Sequence, residues 1–129
     1  MIYVDTSAFL KTAWAENGSA ELREYAGHRE DLVASRLLEL EARRGALRVD
    51  PSAVPRIDLL LARYTLIGVS DAVVETASRL PSPYLRSLDA VHLATALLLG
   101  DELDALLTYD DRLADAARSH GITVVSPGA

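Results

Sequence analysis

Hydrophobic and polar positions along this chain follow two alternating periods. Short apolar runs, Ile2-Tyr3-Val4, Asp31-Leu32-Val33-Ala34 and Ala105-Leu106-Leu107-Thr108-Tyr109, carry almost no charge, as in strands buried on both faces of a parallel sheet. Between them the spacing lengthens to that of helices. Ala8, Phe9, Leu10, Ala13 and Trp14 suggest a first helix, opened by Thr6 or Ser7 as cap. After the Glu16-Asn17-Gly18-Ser19 turn, Ala20, Leu22, Tyr25 and Ala26 suggest a second. Ser35 is read as the cap of a third helix running to about Arg48, and Pro51 and Pro55 open a fourth, with Ile57, Leu60, Leu61 and Tyr64 on one face.

The same alternation continues to the end of the chain. Leu66 to Val69 reads as a brief strand, and Ser70 or Asp71 starts a helix that Pro81-Ser82-Pro83 ends. A long apolar helix follows from about Ser87 to Leu99. After the 105–109 strand come a helix from Leu113 to His120, a stop at Gly121 and a last strand, Ile122 to Val125. Strands alternating with helices of this length imply an α/β fold with a parallel sheet covered on both faces. No repeat, low-complexity stretch or linker divides residues 1–129, so a single domain is expected.

Composition narrows the class. The 129 residues include no cysteine, which removes disulfides and thiolate metal sites and suits a reducing compartment. Met1 leads directly into the first strand, and the apolar stretch Leu93 to Leu99 is too short to span a bilayer, so a soluble, cytoplasmic protein without a membrane partner is expected. A net charge of −6 disfavours polyanions unless several of the acids share a cation.

Four acids stand out by position. Asp5 and Asp110 each end an apolar strand, which would place both at one edge of the sheet, roughly 5–10 Å apart if their strands are neighbours. In open α/β sheets that edge is where ligands bind. Asp89 falls in the first turn of the 87–99 helix, after a Ser87 cap. Capping alone would account for it, but the helix is apolar almost all round and therefore internal, which carries the carboxylate inward. In the third helix, Glu39 has Arg43 four residues on and reads as an exposed ion pair. Glu41 shares the inward face of Leu37 and Leu38 and needs a partner there, either Arg44 or Arg48, or the other acids. His92, one turn after Asp89, reads as a satisfied core histidine, and His28 and His120 as ordinary helix-end residues.

Carboxylates about 4 Å apart repel by about 4 kcal/mol at an effective dielectric near 20, so a cluster must either raise its pKa values or hold a cation. Oxygen donors without cysteine or paired histidines suit Mg²⁺ or Mn²⁺. Such an ion at the open end of a sheet suits phosphodiester hydrolysis.

Four segments together carry a family resemblance: Ile-Tyr-Val-Asp-Thr-Ser-Ala from Ile2, Val-Ala-Ser-Arg-Leu-Leu-Glu-Leu-Glu from Val33, Leu-Arg-Ser-Leu-Asp-Ala-Val-His-Leu-Ala-Thr-Ala from Leu85, and Leu-Thr-Tyr-Asp-Asp-Arg-Leu from Leu107. The chain resembles a PIN-domain ribonuclease of the VapC type, the toxin of VapBC toxin–antitoxin modules, over essentially its whole length. The resemblance implies a three-layer α/β/α sandwich around a mostly parallel sheet of about 4–5 strands. It further implies a Mg²⁺-dependent endoribonuclease, with Mn²⁺ as a possible substitute. The acidic site would be Asp5, Glu41, Asp89 and Asp110: Asp5, Asp89 and Asp110 would hold the metal, and Glu41 would ligate or orient the attacking water. Attack would leave a 5′-phosphate and a 3′-hydroxyl. The family's serine six positions before the glutamate selects Glu41 through Ser35, and the strand end favours Asp110 over the adjacent Asp111.

Thr6 and Thr108 are expected to orient carboxylates, or else to serve as a cap and a strand residue. Lys11, Arg36, Arg43, Arg44 and Arg86 are available to line an RNA groove or to be plain solvated charges. Partners implied by the family are an RNA substrate, a VapB-type antitoxin and a second copy in a homodimer, assembling into a heterotetramer or larger complex. The apolar faces of residues 20–26 and 57–64 fit partner burial and core equally. A catalytically silent PIN-like binding module is the alternative. A response-regulator receiver fits poorly, because Lys11, the sole lysine, is misplaced for it.

Overall fold

The computed structural model describes residues 1–129. Five short strands, β1 (Ile2–Val4), β2 (Leu32–Ser35), β3 (Thr65–Ile67), β4 (Ala105–Leu107) and β5 (Val124–Val125), form one sheet in the order β3-β2-β1-β4-β5. Every pairing is parallel. The chain runs outward from β1 to β3 and then returns to lay β4 on the other side of β1. The direction of winding therefore reverses between β1 and β4, and a crevice opens beyond their carboxyl ends.

Helices α1 (Thr6–Ala13), α2 (Ser19–Ala26), α3 (Leu37–Val49) and α4 (Val54–Leu61) join the strands of the first half, while α5 (Asp71–Ser78), α6 (Ser87–Leu98) and α7 (Asp111–Ser119) belong to the second. Strand side chains alternate between the two layers. Ile2, Val4, Leu32, Ala34, Ala105 and Leu107 pack against Phe9, Leu22, Leu38, Ala42, Ile57 and Leu61 of α1 to α4. Tyr3, Val33 and Leu106 point the other way, against Leu93 and Ala96 of α6 and Leu113 and Ala117 of α7. This is the expected three-layer α/β/α sandwich, and it explains why the strands read as continuous apolar runs. The faces of residues 20–26 and 57–64 prove to be core, through Leu22, Ala26, Ile57 and Leu61. No helix is long and apolar enough to cross a membrane.

Three caps differ from expectation. The first helix is capped by Asp5, whose carboxylate accepts from the Ala8 N–H. Ser35 lies inside β2, and its hydroxyl accepts from the Leu37 N–H while α3 starts after Arg36 without a side-chain cap. Ser87 is the first residue of α6 and caps nothing. At Asp5 and Ser35 a side chain beside the strand end takes a neighbouring backbone N–H. Strands β3, β4 and β5 are also shorter than their apolar runs.

The α1–α2 turn is pinned to the C-terminal tail. Gly18 has φ +82°, and a Cβ there would stand 2.9 Å from the Gly128 carbonyl oxygen, so any side chain would both strain the turn and push the tail off.

Leu38 of α3 is fully buried against the sheet. Leu38→Ala is expected to cost about 2–5 kcal/mol, seen as a lower urea midpoint with an unchanged denaturant slope.

Candidate active site

The four acids come from four different elements to the carboxyl end of the sheet. Asp5 follows β1 directly, Asp110 follows β4 and caps α7, Asp89 lies in the first turn of α6, and Glu41 lies in the second turn of α3. Backbone pairing sets the first two, since the Asp5 N–H donates to the Leu107 carbonyl across the β1–β4 junction.

Asp5 is only 3% exposed. Its carboxylate accepts from the Ser7 hydroxyl (2.7 Å), the Ala8 N–H (3.0 Å) and the Thr108 hydroxyl (2.6 Å). That uses three of about four lone-pair positions. Burial still pushes the Asp5 carboxyl above its ordinary range, against the opposing pull of Thr108, Ala8 and Ser7. The Thr108 hydroxyl also accepts from the Asp110 N–H at 3.1 Å, so one side chain aligns two of the acids. Ser7 accepts in turn from the Tyr109 N–H, tying the start of α1 to the end of β4.

Glu41 meets neither Arg44 nor Arg48. Its Oε1 accepts from the Thr6 hydroxyl at 2.7 Å and lies 2.8 Å from His92 Nε2. Burial raises the Glu41 carboxyl, but His92 and Thr6 outweigh it and leave it below its usual value, ionised at neutral pH. Oε2 has no hydrogen-bond partner within the chain. Glu39, by contrast, is tied outside the site by Arg36 (2.9 Å) and Arg43 (2.6 Å). Glu41 and not Glu39 faces the crevice, and Thr6 and Thr108 both orient carboxylates.

Asp89 is half-buried and has no hydrogen-bonding partner for its side chain. Burial is the main force raising it, followed by repulsion from Asp110, with smaller contributions from Asp5 and Glu41 that nearby His92 opposes. Asp89 thus lies within electrostatic reach of the other three acids. Asp111 points outward and is exposed. None of Asp5, Asp89 and Asp110 is in an ion pair with arginine or lysine, although ten ion-pair contacts occur elsewhere in the chain or between Glu41 and His92.

The donor set is hard oxygen, and the ring nitrogens of His92 are both engaged, by Tyr3 and by Glu41. No three His, Asp or Glu side chains close into a common chelating cage, so the expected trio Asp5, Asp89 and Asp110 does not meet at a single point. This arrangement fits Mg²⁺, which usually takes one or two carboxylates and completes its shell with water, better than an ion that needs an all-protein cage. His92 is the satisfied, buried histidine expected of it, but its contacts with Tyr3 and Glu41 were not legible in the sequence. Nor were the roles of Tyr3 and Ser7. The spacing of Asp89 and His92 on one helix was the available signal, since residues three apart share a face.

A groove of about 360 Å³ runs from Thr6 and Glu41 past Leu88 to Arg44 and Arg48. A larger one, about 770 Å³, lies beyond it between Arg36, Leu40, Arg43, Arg44 and Val69, away from the acids.

Repulsion at Asp89 has a measurable consequence. Without divalent cations, Asp89→Asn is expected to stabilise the fold at pH 7 by on the order of 0.5 kcal/mol after solvent screening, roughly 2 °C in Tm. A carboxyl raised in the native state costs stability when ionised, so the gain should shrink as pH falls through its elevated native pKa and vanish below the ordinary value of 3.8. Melting curves in chelator across pH check this, and a lower Tm for the variant at pH 7 would refute it.

Comparison with known proteins matches the PIN domain model to residues 2–119. The chain is 40% identical over 132 residues to the protein named Ribonuclease VapC35 of Mycobacterium tuberculosis, covering 99% of this chain and 98% of that one. Among solved structures it resembles M. tuberculosis VapC20, described as a sarcin–ricin-loop-cleaving toxin, with a TM-score of 0.78 and 15% identity over 98% of this chain and 100% of that chain. It also resembles a chain of a toxin–antitoxin complex from Klebsiella pneumoniae, with a TM-score of 0.75 and 24% identity over 98% of both chains. On sequence and fold together, this chain belongs to the PIN-domain family and, within it, to the VapC-type toxins.

Proposed function

We propose that the protein is a toxin of a type II toxin–antitoxin module and acts as a Mg²⁺-dependent endoribonuclease. The observation that carries this reading is the convergence of Asp5, Glu41, Asp89 and Asp110, without a countercharge from lysine or arginine, at the switch point of the sheet. Asp5, Asp89 and Asp110 would hold the ion, one or two of them directly and the rest through its water shell, Mn²⁺ being an alternative; when bound it would polarise the scissile phosphate and favour ionisation of a water.

The chain's own residues supply the rest. Glu41, held ionised by its hydroxyl and imidazole partners, has a free Oε2 that can accept a proton from the attacking water. Thr108 and Ser7 fix the Asp5 carboxylate, so it need not reorganise as charge develops at the phosphate. In-line attack leaves a 5′-phosphate and a 3′-hydroxyl. Arg44 and Arg48, which share the groove with Glu41 and have no acidic partner, are placed to take the neighbouring phosphates of an RNA strand.

We also propose that a VapB-type antitoxin covers this edge in the cytoplasm, in an assembly of toxin homodimers. The Klebsiella complex and the exposed Leu40, Leu47 and Leu59 on α3 and α4 support that partner.

Two measurements test the activity. Mg²⁺ or Mn²⁺ should raise the melting temperature of the wild type, by an amount that corresponds to about 2.7 kcal/mol at a hundred times the dissociation constant, and Asp89→Asn should lose most of that rise. Mapping of RNA ends after incubation with total RNA should show new 5′-phosphate ends that require metal. Those ends should be absent with Asp5→Ala and reduced about 10²- to 10⁴-fold in rate with Glu41→Gln. No metal-dependent stabilisation and no cleavage would instead indicate a silent binding module.

A further inference from the structure

Behind Glu41 lies a line of polar groups that the acidic site does not by itself require. Tyr3 of β1 is fully buried and His92 of α6 is 1% exposed, both within the apolar layer of α6 and α7. Burying a phenol and an imidazole there costs free energy unless every polar atom is paired, and each of them is. The Ser35 backbone N–H of β2 donates to the Tyr3 hydroxyl oxygen at 3.1 Å. The Tyr3 oxygen lies 2.7 Å from His92 Nδ1, and His92 Nε2 lies 2.8 Å from Glu41 Oε1. The two rings meet edge to face, with centroids 5.9 Å apart.

Donor and acceptor counts give this line one direction. A carboxylate can only accept, so the nitrogen that faces Glu41, Nε2, carries the proton. A neutral imidazole then leaves Nδ1 to accept from the Tyr3 hydroxyl, whose oxygen accepts in turn from the Ser35 N–H. The opposite tautomer would set a bare Nε2 against a carboxylate oxygen. Thr6 supplies a second donor to the same oxygen, so Oε1 is held twice while Oε2 stays open.

We propose that Tyr3 and His92 are positioning residues for Glu41: a hydrogen-bond relay from the backbone of β2 holds the His92 ring and thereby the orientation of the Glu41 carboxylate, leaving one defined oxygen for the attacking water. The catalytic meaning of the relay rests on the nuclease reading, while its existence does not. Neither residue touches substrate. Their contribution is to remove the rotational freedom of a glutamate that is only partly buried.

The test begins with long-range ¹H–¹⁵N spectra of the whole protein, recorded without RNA or added metal. His92 should appear as the Nε2–H tautomer with Nδ1 as a hydrogen-bonded acceptor, and Tyr3→Phe, which keeps the ring and the packing, should move the Nδ1 resonance downfield to that of an acceptor without a donor. The second readout is cleavage of an in vitro transcript of whichever RNA the wild type cuts in total RNA, at saturating Mg²⁺. Tyr3→Phe and His92→Leu should lower kcat about 10- to 100-fold with KM for RNA unchanged. His92→Gln, which keeps a donor toward Glu41, should recover part of the loss.

An Nδ1–H tautomer in the wild type would overturn the relay, and so would wild-type kcat in a folded Tyr3→Phe or His92→Leu variant. If His92→Leu does not fold, Tyr3→Phe decides alone. A wild type that cuts no RNA would overturn the nuclease reading and the catalytic meaning of the relay, while the tautomer spectrum would still decide whether the relay exists.

Discussion

A carboxylate at the floor of a parallel sheet is the constraint on which this structure turns. Asp5 ends the central strand, where both faces are already covered, and its ionised form would be prohibitive there without donors. The surrounding sequence is spent on providing them: a helix start that offers the Ala8 N–H, a serine two residues on and a threonine reached across the sheet from β4. Those donors still do not fully offset the burial. What the protein retains is a pre-aligned acid whose charge is still costly, the state that the proposed cation would relieve.

The remaining acids extend the same logic with different amounts of support. Asp110 is aligned by its own backbone through Thr108, Glu41 by hydroxyl and imidazole donors, and Asp89 by nothing beyond its place on α6. Support therefore declines from the buried floor of the crevice toward its rim. A site built this way is rigid at its floor and loose at its rim, which suits the proposed entry of a hydrated ion and an RNA strand.

Much of this was legible in the sequence because the strands are buried on both faces. Uncharged apolar runs ending in Asp5 and Asp110 mark the sheet, its polarity and the edge where these acids lie, and Glu41 separates from Glu39 by helical face together with the serine six positions before it. Caps were less legible. Ser35 and Ser87 look like helix caps in one dimension, yet one is spent inside β2 and the other is the first helical residue, since strand and helix compete for the same few hydroxyls. The partner of Glu41 was not legible, because Arg44 and Arg48 are near in sequence while His92 is 51 residues away. Local spacing favours the arginines, and only the α6–β2 packing brings the imidazole to the acid.

Tyr3 lies in the middle of a three-residue strand and Asp5 just past its end, and that two-residue spacing serves two ends at once: Tyr3 reaches His92, and Asp5 reaches Thr108. In a pleated chain a single inserted or deleted residue would turn one of the two toward the opposite layer. Ile2 and Val4 can drift among apolar residues of similar volume, but the count between the phenol and the acid cannot change. The opening segment is thus tolerant only of apolar exchange at Ile2 and Val4, and fixed in length.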